Sequence, residues 1–206
     1  MVKVAILGFG VVGSGVAEVL SGNGAGIQKK ADELIEVKYI LDVRDFPDSP
    51  FAQHFVKDFS VIEHDPEVNV VVETIGGVGA ALDFTERALK QGKSVVTSNK
   101  ELVATHGRRL LDLAAQNNAV YLFEASVGGG IPILRPLSEC MSANEILEIC
   151  GILNGTANYI FTRMVKDHIP FAEALAGAQA NGYAEANPAA DVEGTDAARK
   201  ICILSG

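Results

Sequence analysis

The chain has 206 residues, of which 48% are hydrophobic and 21% charged, a composition typical of a globular protein and unlike a disordered or collagen-like chain. Its formal charge of −9 disfavours a nucleic-acid partner, because proteins that neutralise phosphate backbones usually carry the opposite sign. The apolar stretches fall well short of the roughly 20 residues that a bilayer requires. No secretory leader or disulfide framework is evident. We therefore expect a cytoplasmic protein without a membrane partner.

Strands and helices are predicted to alternate through the first 130 residues. The predicted strands span 2–7, 35–41, 68–73, 94–97 and 119–124, and the predicted helices span 11–20, 80–91 and 100–117. Residues 21–26 are expected to form a loop or a helix end, followed by a polar stretch to Glu33. Phe51, Phe55 and Phe59 have the spacing of a buried helical stripe. The alternation predicts an α/β fold with a doubly wound parallel sheet.

The character of the chain changes near residue 130, where glycines and prolines interrupt the pattern. We expect a dinucleotide-binding domain at 1–130 and part of an α+β substrate domain at 131–206. In the second domain the pattern predicts a strand at 145–153 and helices at 157–165, 171–181 and 192–204. The apolar helical pattern continues to the last residue, so we expect a fragment of a longer protein.

A glycine-rich motif of the form GxGxxG joins the first strand to the first helix. It comprises Gly8, Phe9, Gly10, Val11, Val12 and Gly13. The first glycine permits a tight turn, the second lets the backbone approach a pyrophosphate, and the third allows close packing of helix and strand. The motif predicts Rossmann-type binding of NAD(P). The alternative is a glycine-rich turn that binds no ligand.

An acidic residue after the second strand of such a fold accepts hydrogen bonds from the ribose hydroxyls. Asp42 occupies that place, and Arg44 could pair with a 2′-phosphate or stack on adenine. The alternative is a surface ion pair among Asp42, Arg44 and Asp45. The choice between NAD and NADP therefore stays open.

Further candidates follow the third and fourth predicted strands, at the carboxyl edge of the sheet where such folds bind ligands. Thr74 and Gly76 are placed to contact the nicotinamide side of the cofactor. Ser98 and Lys100 lie in the turn Thr-Ser-Asn-Lys. The alternative for Lys100 is a solvent-exposed pair with Glu101.

Several segments together resemble the homoserine dehydrogenase family. They are 8–13, 97–100 (TSNK), 124–132 (EASVGGGIP), 151–160 (GILNGTANYI) and 182–200, which begins GYAE and ends at Lys200. The resemblance implies NAD(P)-dependent interconversion of L-homoserine and L-aspartate 4-semialdehyde, on the route to threonine, methionine and isoleucine. It also implies a homodimer. Family members continue through the rest of the substrate domain, and often into a regulatory domain.

Oxidation of an alcohol by hydride transfer requires a group that accepts the hydroxyl proton. Lys200 is the candidate, and Asp196 lies four residues earlier, so a helix presents both on one face. The alternative is a solvated Asp–Lys pair. The resemblance implies an acid/base role for Lys200, substrate contact for Asp196, and a second active-site lysine at Lys100.

Two more carboxylates are substrate-binding candidates. Glu185 lies in the loop that begins at Gly182, and the resemblance places it near the substrate and Gly182 near the cofactor. Asp191 could bind the substrate ammonium, or it could be the N-cap of the following helix.

The resemblance also implies a sodium ion bound by Glu124 and by backbone oxygens of Val127, Gly129 and Ile131. Oxygen ligands suit such a hard cation. The alternative is a glycine-rich hinge without metal.

Two other functions stay open beside the dehydrogenase. One is a non-catalytic module that binds a dinucleotide, and the other is a dehydrogenase of another amino acid or aldehyde.

Overall fold

The computed structural model describes residues 1–141, 143–184 and 188–206, which divide into two compact units, Met1–Ile131 and Pro132–Gly206. The first unit contains a six-stranded parallel sheet in the order β3-β2-β1-β4-β5-β6. Its strands are β1 (Val2–Leu7), β2 (Ile35–Leu41), β3 (Phe55–Val56), β4 (Val68–Glu73), β5 (Ser94–Thr97) and β6 (Tyr121–Leu122). This is the strand order of a doubly wound dinucleotide-binding sheet, so the predicted α/β fold is confirmed.

Helices flank this sheet and connect its strands. They are α1 (Val11–Gly22), α2 (Gly24–Ala31), α3 (Phe59–Glu63), α4 (Gly79–Lys90), α5 (Lys100–Gln116) and α6 (Ala125–Gly128). The central strands are almost continuously apolar because both of their faces are covered, and Ile6, Val71 and Val95 are fully buried. The end of α1 at Gly22 agrees with the expected helix end, but the stretch that follows contains α2, and β6 is shorter than the predicted 119–124.

The interpretation of Phe51, Phe55 and Phe59 as one helical stripe was wrong. Phe51 precedes a 3₁₀ turn, Phe55 lies in β3 and Phe59 begins α3. Phe55 and Phe51 make edge contacts with Phe9 of the glycine motif, with ring centroids 5.0 and 6.2 Å apart. Phe59 instead stacks on Phe84 of α4, with ring centroids 4.6 Å apart. The three residues thus lie in different elements, and their spacing of four does not reflect helical periodicity.

The second unit is helical in the part that the structure describes. Its helices are α7 (Leu134–Cys140), α8 (Gly155–Asp167), α9 (Phe171–Ala180), α10 (Ala189–Val192) and α11 (Thr195–Ser205). Helices α8 and α9 pack around Ile160, Ala174 and Ala178. In neither unit does a described helix combine the length and apolar character that crossing a membrane requires.

In the second unit, the predicted strand was wrong and the start of the last predicted helix was misplaced. Residues 145–153 form no strand, and a strand needs a neighbour to pair its backbone groups, which no described residue of this unit supplies. The helix predicted at 192–204 begins only at Thr195. Gly194 precedes it with a φ of 78°, a left-handed conformation that separates α11 from the short α10.

Candidate active site

The glycine motif forms a tight junction between β1 and α1. Gly8 has a φ of 91°, which a glycine adopts at little cost. A Cβ atom on Gly13 would lie 1.9 Å from the Gly8 carbonyl oxygen and 2.8 Å from Thr74 Oγ1. A Cβ on Gly10 would meet no atom within 4 Å. Gly13 is therefore required by packing, whereas Gly10 leaves open space beside the loop.

Helix α1 begins directly after Gly10, which is its N-cap and makes no side-chain capping bond. The N–H groups of the first helical turn, which includes Val11 and Val12, have no carbonyl partner within the helix. Such groups, together with the helix dipole, bind phosphate. The local geometry is therefore that of a pyrophosphate-binding loop.

Asp42 follows β2 and is tied to this loop. Its carboxylate accepts hydrogen bonds from Phe9 N (2.7 Å), from Arg44 N (2.8 Å) and from the Arg44 guanidinium (Nε 3.0 Å, Nη2 2.9 Å). The Arg44 side chain, followed by the backbone donors, holds the pKa of the Asp42 carboxyl well below its usual range and outweighs burial. The ion pair named as an alternative therefore forms, although Asp45 pairs with Lys57 instead.

The lowered pKa of Asp42 gives a testable stability effect. Asp42→Asn is expected to lower the free energy of unfolding by about 1–3 kcal/mol at pH 7, because the carboxylate accepts charge-assisted bonds. The folded pKa lies below the unfolded value of about 4. The stabilisation is therefore full above that value and is lost as the pH falls through it toward the folded pKa. Denaturation of parent and variant between pH 7 and pH 3 measures this difference.

Asp45→Asn is the matched control for that experiment. Its carboxylate is 87% exposed and pairs with Lys57 at the surface, so we expect a change within about 0.5 kcal/mol. A stability difference between parent and Asp42→Asn that stays constant down to pH 3 contradicts the assignment.

The turns after β4 and β5 lie beside the glycine motif, because β1, β4 and β5 are neighbouring parallel strands. Thr74 donates its hydroxyl proton toward the carbonyls of Leu7 (2.9 Å) and Gly8 (3.0 Å). Gly76 has a φ of 82°. Lys100 is the first residue of α5, and Ser98 lies two residues before it. The structure thus gathers the candidates of the first unit at the carboxyl edge of its sheet.

Lys200 and Asp196 form an ion pair in α11, with Nζ and Oδ2 2.9 Å apart. The pair is not the solvated one considered as an alternative, because its side chains are only 15% and 9% exposed. Lys200 Nζ also donates to the Leu153 carbonyl (2.7 Å). A buried charge is costly unless it is paired and hydrogen-bonded, and this lysine is both.

Asn154 links Asp196, the partner of Lys200, to a second carboxylate, Asp191, a role that was not predicted from the sequence. Its Nδ2 donates to Asp196 Oδ2 (3.0 Å) and to Asp191 Oδ1 (2.7 Å). Its Oδ1 accepts from Ala157 N (2.7 Å) and caps α8. One amide therefore holds two carboxylates and a helix start. The sequence signal was an asparagine three residues before the helix predicted at 157–165, which indicates at most a cap.

The capping hypothesis for Asp191 was wrong. Asp191 lies inside α10, whose N-cap is Pro188, and the N-cap of α11 is Gly194. Its carboxylate instead belongs to the Asn154 cluster. Gly182 follows α9 with a φ of 73°. Glu185 lies outside the described residues.

The candidate sodium ligands occupy the short helix α6 and the turn after it. Glu124 is the N-cap of α6, Val127 is buried, and Gly129 has a φ of 59°. Ile131 is 72% exposed. Among the described residues, no group of three or more His, Cys, Asp or Glu side chains could hold a metal ion. A cation here would depend on backbone oxygens and one carboxylate.

Together, the doubly wound sheet and the glycine motif define an α/β protein of the dinucleotide-binding class, and its second unit carries a largely buried lysine–carboxylate cluster. Residues 8–124 match a family model described as "Homoserine dehydrogenase, NAD binding domain", and residues 132–206 match one described as "Homoserine dehydrogenase". The chain belongs to the homoserine dehydrogenase family.

Relatives in sequence and structure agree with this assignment. The chain is 43% identical to "Homoserine dehydrogenase" of Bacillus subtilis (strain 168) over 209 residues, which cover 99% of this chain and 48% of the relative. The crystal structure of a homoserine dehydrogenase from Thiobacillus denitrificans matches with a TM-score of 0.87 and 38% identity, over 99% of this chain and 48% of that one. The chain spans about half the length of the curated relatives it matches.

Two archaeal structures are matched over more of their length. A putative homoserine dehydrogenase from Archaeoglobus fulgidus gives a TM-score of 0.86 at 34% identity, with 100% of this chain and 68% of that one covered. A hyperthermophilic archaeal homoserine dehydrogenase in complex with NADPH gives 0.84 at 27% identity, with 98% and 68% covered.

Proposed function

We propose that this chain carries the dinucleotide-binding domain and part of the catalytic domain of an oxidoreductase that interconverts L-homoserine and L-aspartate 4-semialdehyde with NAD(P). The observation that carries the proposal is the buried cluster of Lys200, Asp196 and Asn154, which lies in the region matched by the homoserine dehydrogenase model. The first unit, with its glycine motif, is proposed as the dinucleotide domain, and the second as part of the substrate domain.

Lys200 is proposed to move the hydroxyl proton. An ammonium has three donors, and the contacts to Asp196 and to the Leu153 carbonyl use two of them. The third is proposed to reach the substrate oxygen, donating a proton during reduction of the aldehyde. In the oxidation direction the neutral amine accepts that proton. Bound NAD(P) supplies or takes up the hydride at its nicotinamide C4.

The other candidates are proposed to orient the substrate. Lys100 supports the polarised oxygen with its positive charge, which opposes the negative charge that develops there. Asp196, Asp191 and Glu185 bind the ammonium of the amino acid. The two described carboxylates already share one donor, Asn154 Nδ2, so they present their charge in a fixed arrangement.

Both dinucleotides stay within the proposal. The relative solved with NADPH supports NADP, and the Arg44 side chain, 59% exposed, offers a guanidinium for a 2′-phosphate. The Asp42 carboxylate supports NAD less directly, since it is already held by Phe9 N and Arg44. Thr74, Gly76, Ser98 and Gly182 are proposed as further cofactor contacts.

A sodium ion and a homodimer complete the proposal. Helix α6 has only four residues, so its last carbonyls lack partners within the helix, and the Glu124 carboxylate adds a charged oxygen. The donor set therefore suits a hard cation. The homodimer is implied by the family resemblance alone.

The absorbance of NADH and of NADPH, followed with L-aspartate 4-semialdehyde, tests the function. We expect a longer natural chain that contains these residues to oxidise NADH, NADPH or both. The assay is run in sodium chloride and in choline chloride at equal ionic strength, which compares turnover with and without sodium. This chain is assayed beside it, with calorimetry for cofactor binding. Cofactor binding without turnover in either chain would favour a non-catalytic module. Faster turnover of another aldehyde would favour a different dehydrogenase.

A further inference from the structure

Glu73, the last residue of β4, is fully buried although its side chain carries a carboxyl group. Acidic side chains are almost never fully buried unless they are partnered. Glu73 Oε1 accepts hydrogen bonds from Ile75 N (2.8 Å) and Gly76 N (3.3 Å), and Oε2 accepts from Thr97 Oγ1 (2.6 Å). The carboxylate therefore binds its own following turn and, through Thr97, the end of the neighbouring strand β5.

The contacts continue from Thr97 into the start of α5. Thr97 Oγ1 accepts from Asn99 N (2.9 Å). The Asn99 side chain donates to the Gly77 carbonyl (2.6 Å) and accepts from Leu102 N (3.1 Å), which caps α5. The two turns are thus joined twice, once through the Glu73 carboxylate and once through the Asn99 amide. Lys100 is the next residue of the chain.

We propose that Glu73 is a positioning residue that fixes the 75–77 turn and, through Thr97 and Asn99, the backbone from which Lys100 projects. It touches neither cofactor nor substrate in this proposal. The importance of those two turns for the dinucleotide rests on the proposed function. The sequence signal is a single acidic residue that ends an otherwise apolar strand segment, Val-Val-Val-Glu, which by itself suggests only a strand boundary.

A carboxylate suits this place because it only accepts hydrogen bonds, and each of its three neighbours donates. Glutamine has the same shape, but its Nε2 must face either the two backbone N–H groups or the Thr97 hydroxyl. The hydroxyl can rotate to accept, but its own proton then loses its acceptor. Glu73→Gln therefore replaces the charge-assisted bond from Thr97 with a neutral bond of opposite direction and leaves the Thr97 hydroxyl proton without its acceptor, with little change in volume.

Thr97→Val and Thr97→Ser test the same link from the other strand. Valine has the shape of threonine but neither donates to Glu73 nor accepts from Asn99, whereas serine keeps the hydroxyl. Thr85→Val is the matched control. Thr85 is fully buried in α4, and its Oγ1 has no hydrogen-bond partner among the described residues, so this substitution removes no bond.

The experiment measures the dissociation constants of NADH and NADPH for this chain, well below the lowest thermal midpoint of the set. For the dinucleotide that binds, we expect its dissociation constant to rise about tenfold in Glu73→Gln and at least as much in Thr97→Val. Both variants lose the buried charge-assisted bond between Thr97 and Glu73, and Thr97→Val also loses the bond from Asn99 N. We expect Thr97→Ser and Thr85→Val to bind like the parent. Parent-like affinity in Glu73→Gln and Thr97→Val, with only the thermal midpoint lowered, would overturn the positioning role.

Backbone amide exchange tests the positioning role of Glu73 independently of the proposed enzymatic function. Thr97→Val is expected to speed exchange at Ile75 and Gly76, in the other turn, while Thr85→Val leaves both unchanged. Unchanged exchange there overturns the link through Glu73, whatever the affinities. A parent chain that binds neither dinucleotide contradicts the proposed function, and with it the cofactor role of these turns. In that case, amide exchange at Ile75 and Gly76 still tests whether Glu73 fixes the backbone of the two turns.

Discussion

Lys200→Ala is expected to lower turnover by about a hundredfold to ten-thousandfold, the range that positioned acid/base groups supply. Affinity for the dinucleotide should change little, because the glycine motif lies in the first unit and Lys200 in the second. Turnover is measured in a longer natural chain that contains these residues, and affinity by calorimetry in the same protein.

Loss of the lysine also removes the Lys200–Asp196 ion pair, so a second variant separates chemistry from folding. Lys200→Arg keeps a positive charge beside Asp196, but a guanidinium does not deprotonate at accessible pH and cannot accept the hydroxyl proton. It should keep the thermal midpoint close to that of the parent and still lose turnover. Lys166→Ala, at an exposed lysine in the last turn of α8, is the control and should behave like the parent. Parent-like turnover in Lys200→Arg would remove Lys200 from the proton-transfer step.

The part of the fold that was predictable depends on short stretches of chain. The GxGxxG motif and each apolar strand are continuous segments of about ten residues or fewer. The local sequence pattern was therefore sufficient to predict them. The segment 145–153 has the composition of a strand, but a strand exists only where a neighbour pairs with it, and pairing is not local. The same limit explains the wrong interpretation of Phe51, Phe55 and Phe59. Their regular spacing suggested one helix, although they belong to three different parts of the fold.

The contacts of the site were predictable where the two residues lie close together in the sequence, and not where they lie far apart. Lys200 and Asp196 are four residues apart, so their contact followed from helical spacing. Asn154 meets Asp191 and Asp196 across 37 and 42 residues, and Glu73 meets Thr97 across 24. No periodicity connects such positions. For Glu73 and Asn154, the sequence shows only that a charged or amide side chain ends an apolar segment.

Gly13→Ala is expected to abolish detectable dinucleotide binding in this chain and to lower its stability. The added Cβ would lie 1.9 Å from the Gly8 carbonyl oxygen, a backbone atom that cannot turn aside as a flexible side chain could. Either α1 or the Gly8 turn must move, and overpacking of this kind costs about 1–3 kcal/mol or more. Both movements displace the N–H groups that are proposed to bind the pyrophosphate. Calorimetry with NADH and NADPH, together with chemical denaturation, measures the two effects.

Two other glycines of the same segment distinguish packing from ligand approach. Gly10→Ala places its Cβ in open space, and the backbone there has a φ of −83° that alanine also adopts, so the fold should be as stable as the parent's. Dinucleotide affinity should nevertheless fall, because the methyl group occupies the side from which the phosphates approach the loop. Gly15→Ala, inside α1 with no atom within 4 Å of the new Cβ, should raise stability by about 0.5–1 kcal/mol and leave affinity unchanged. If Gly10→Ala binds the dinucleotide as tightly as the parent, the dinucleotide does not approach α1 at Gly10. If Gly13→Ala keeps the stability and the affinity of the parent, the close packing of Gly13 against Gly8 does not fix the conformation of this loop.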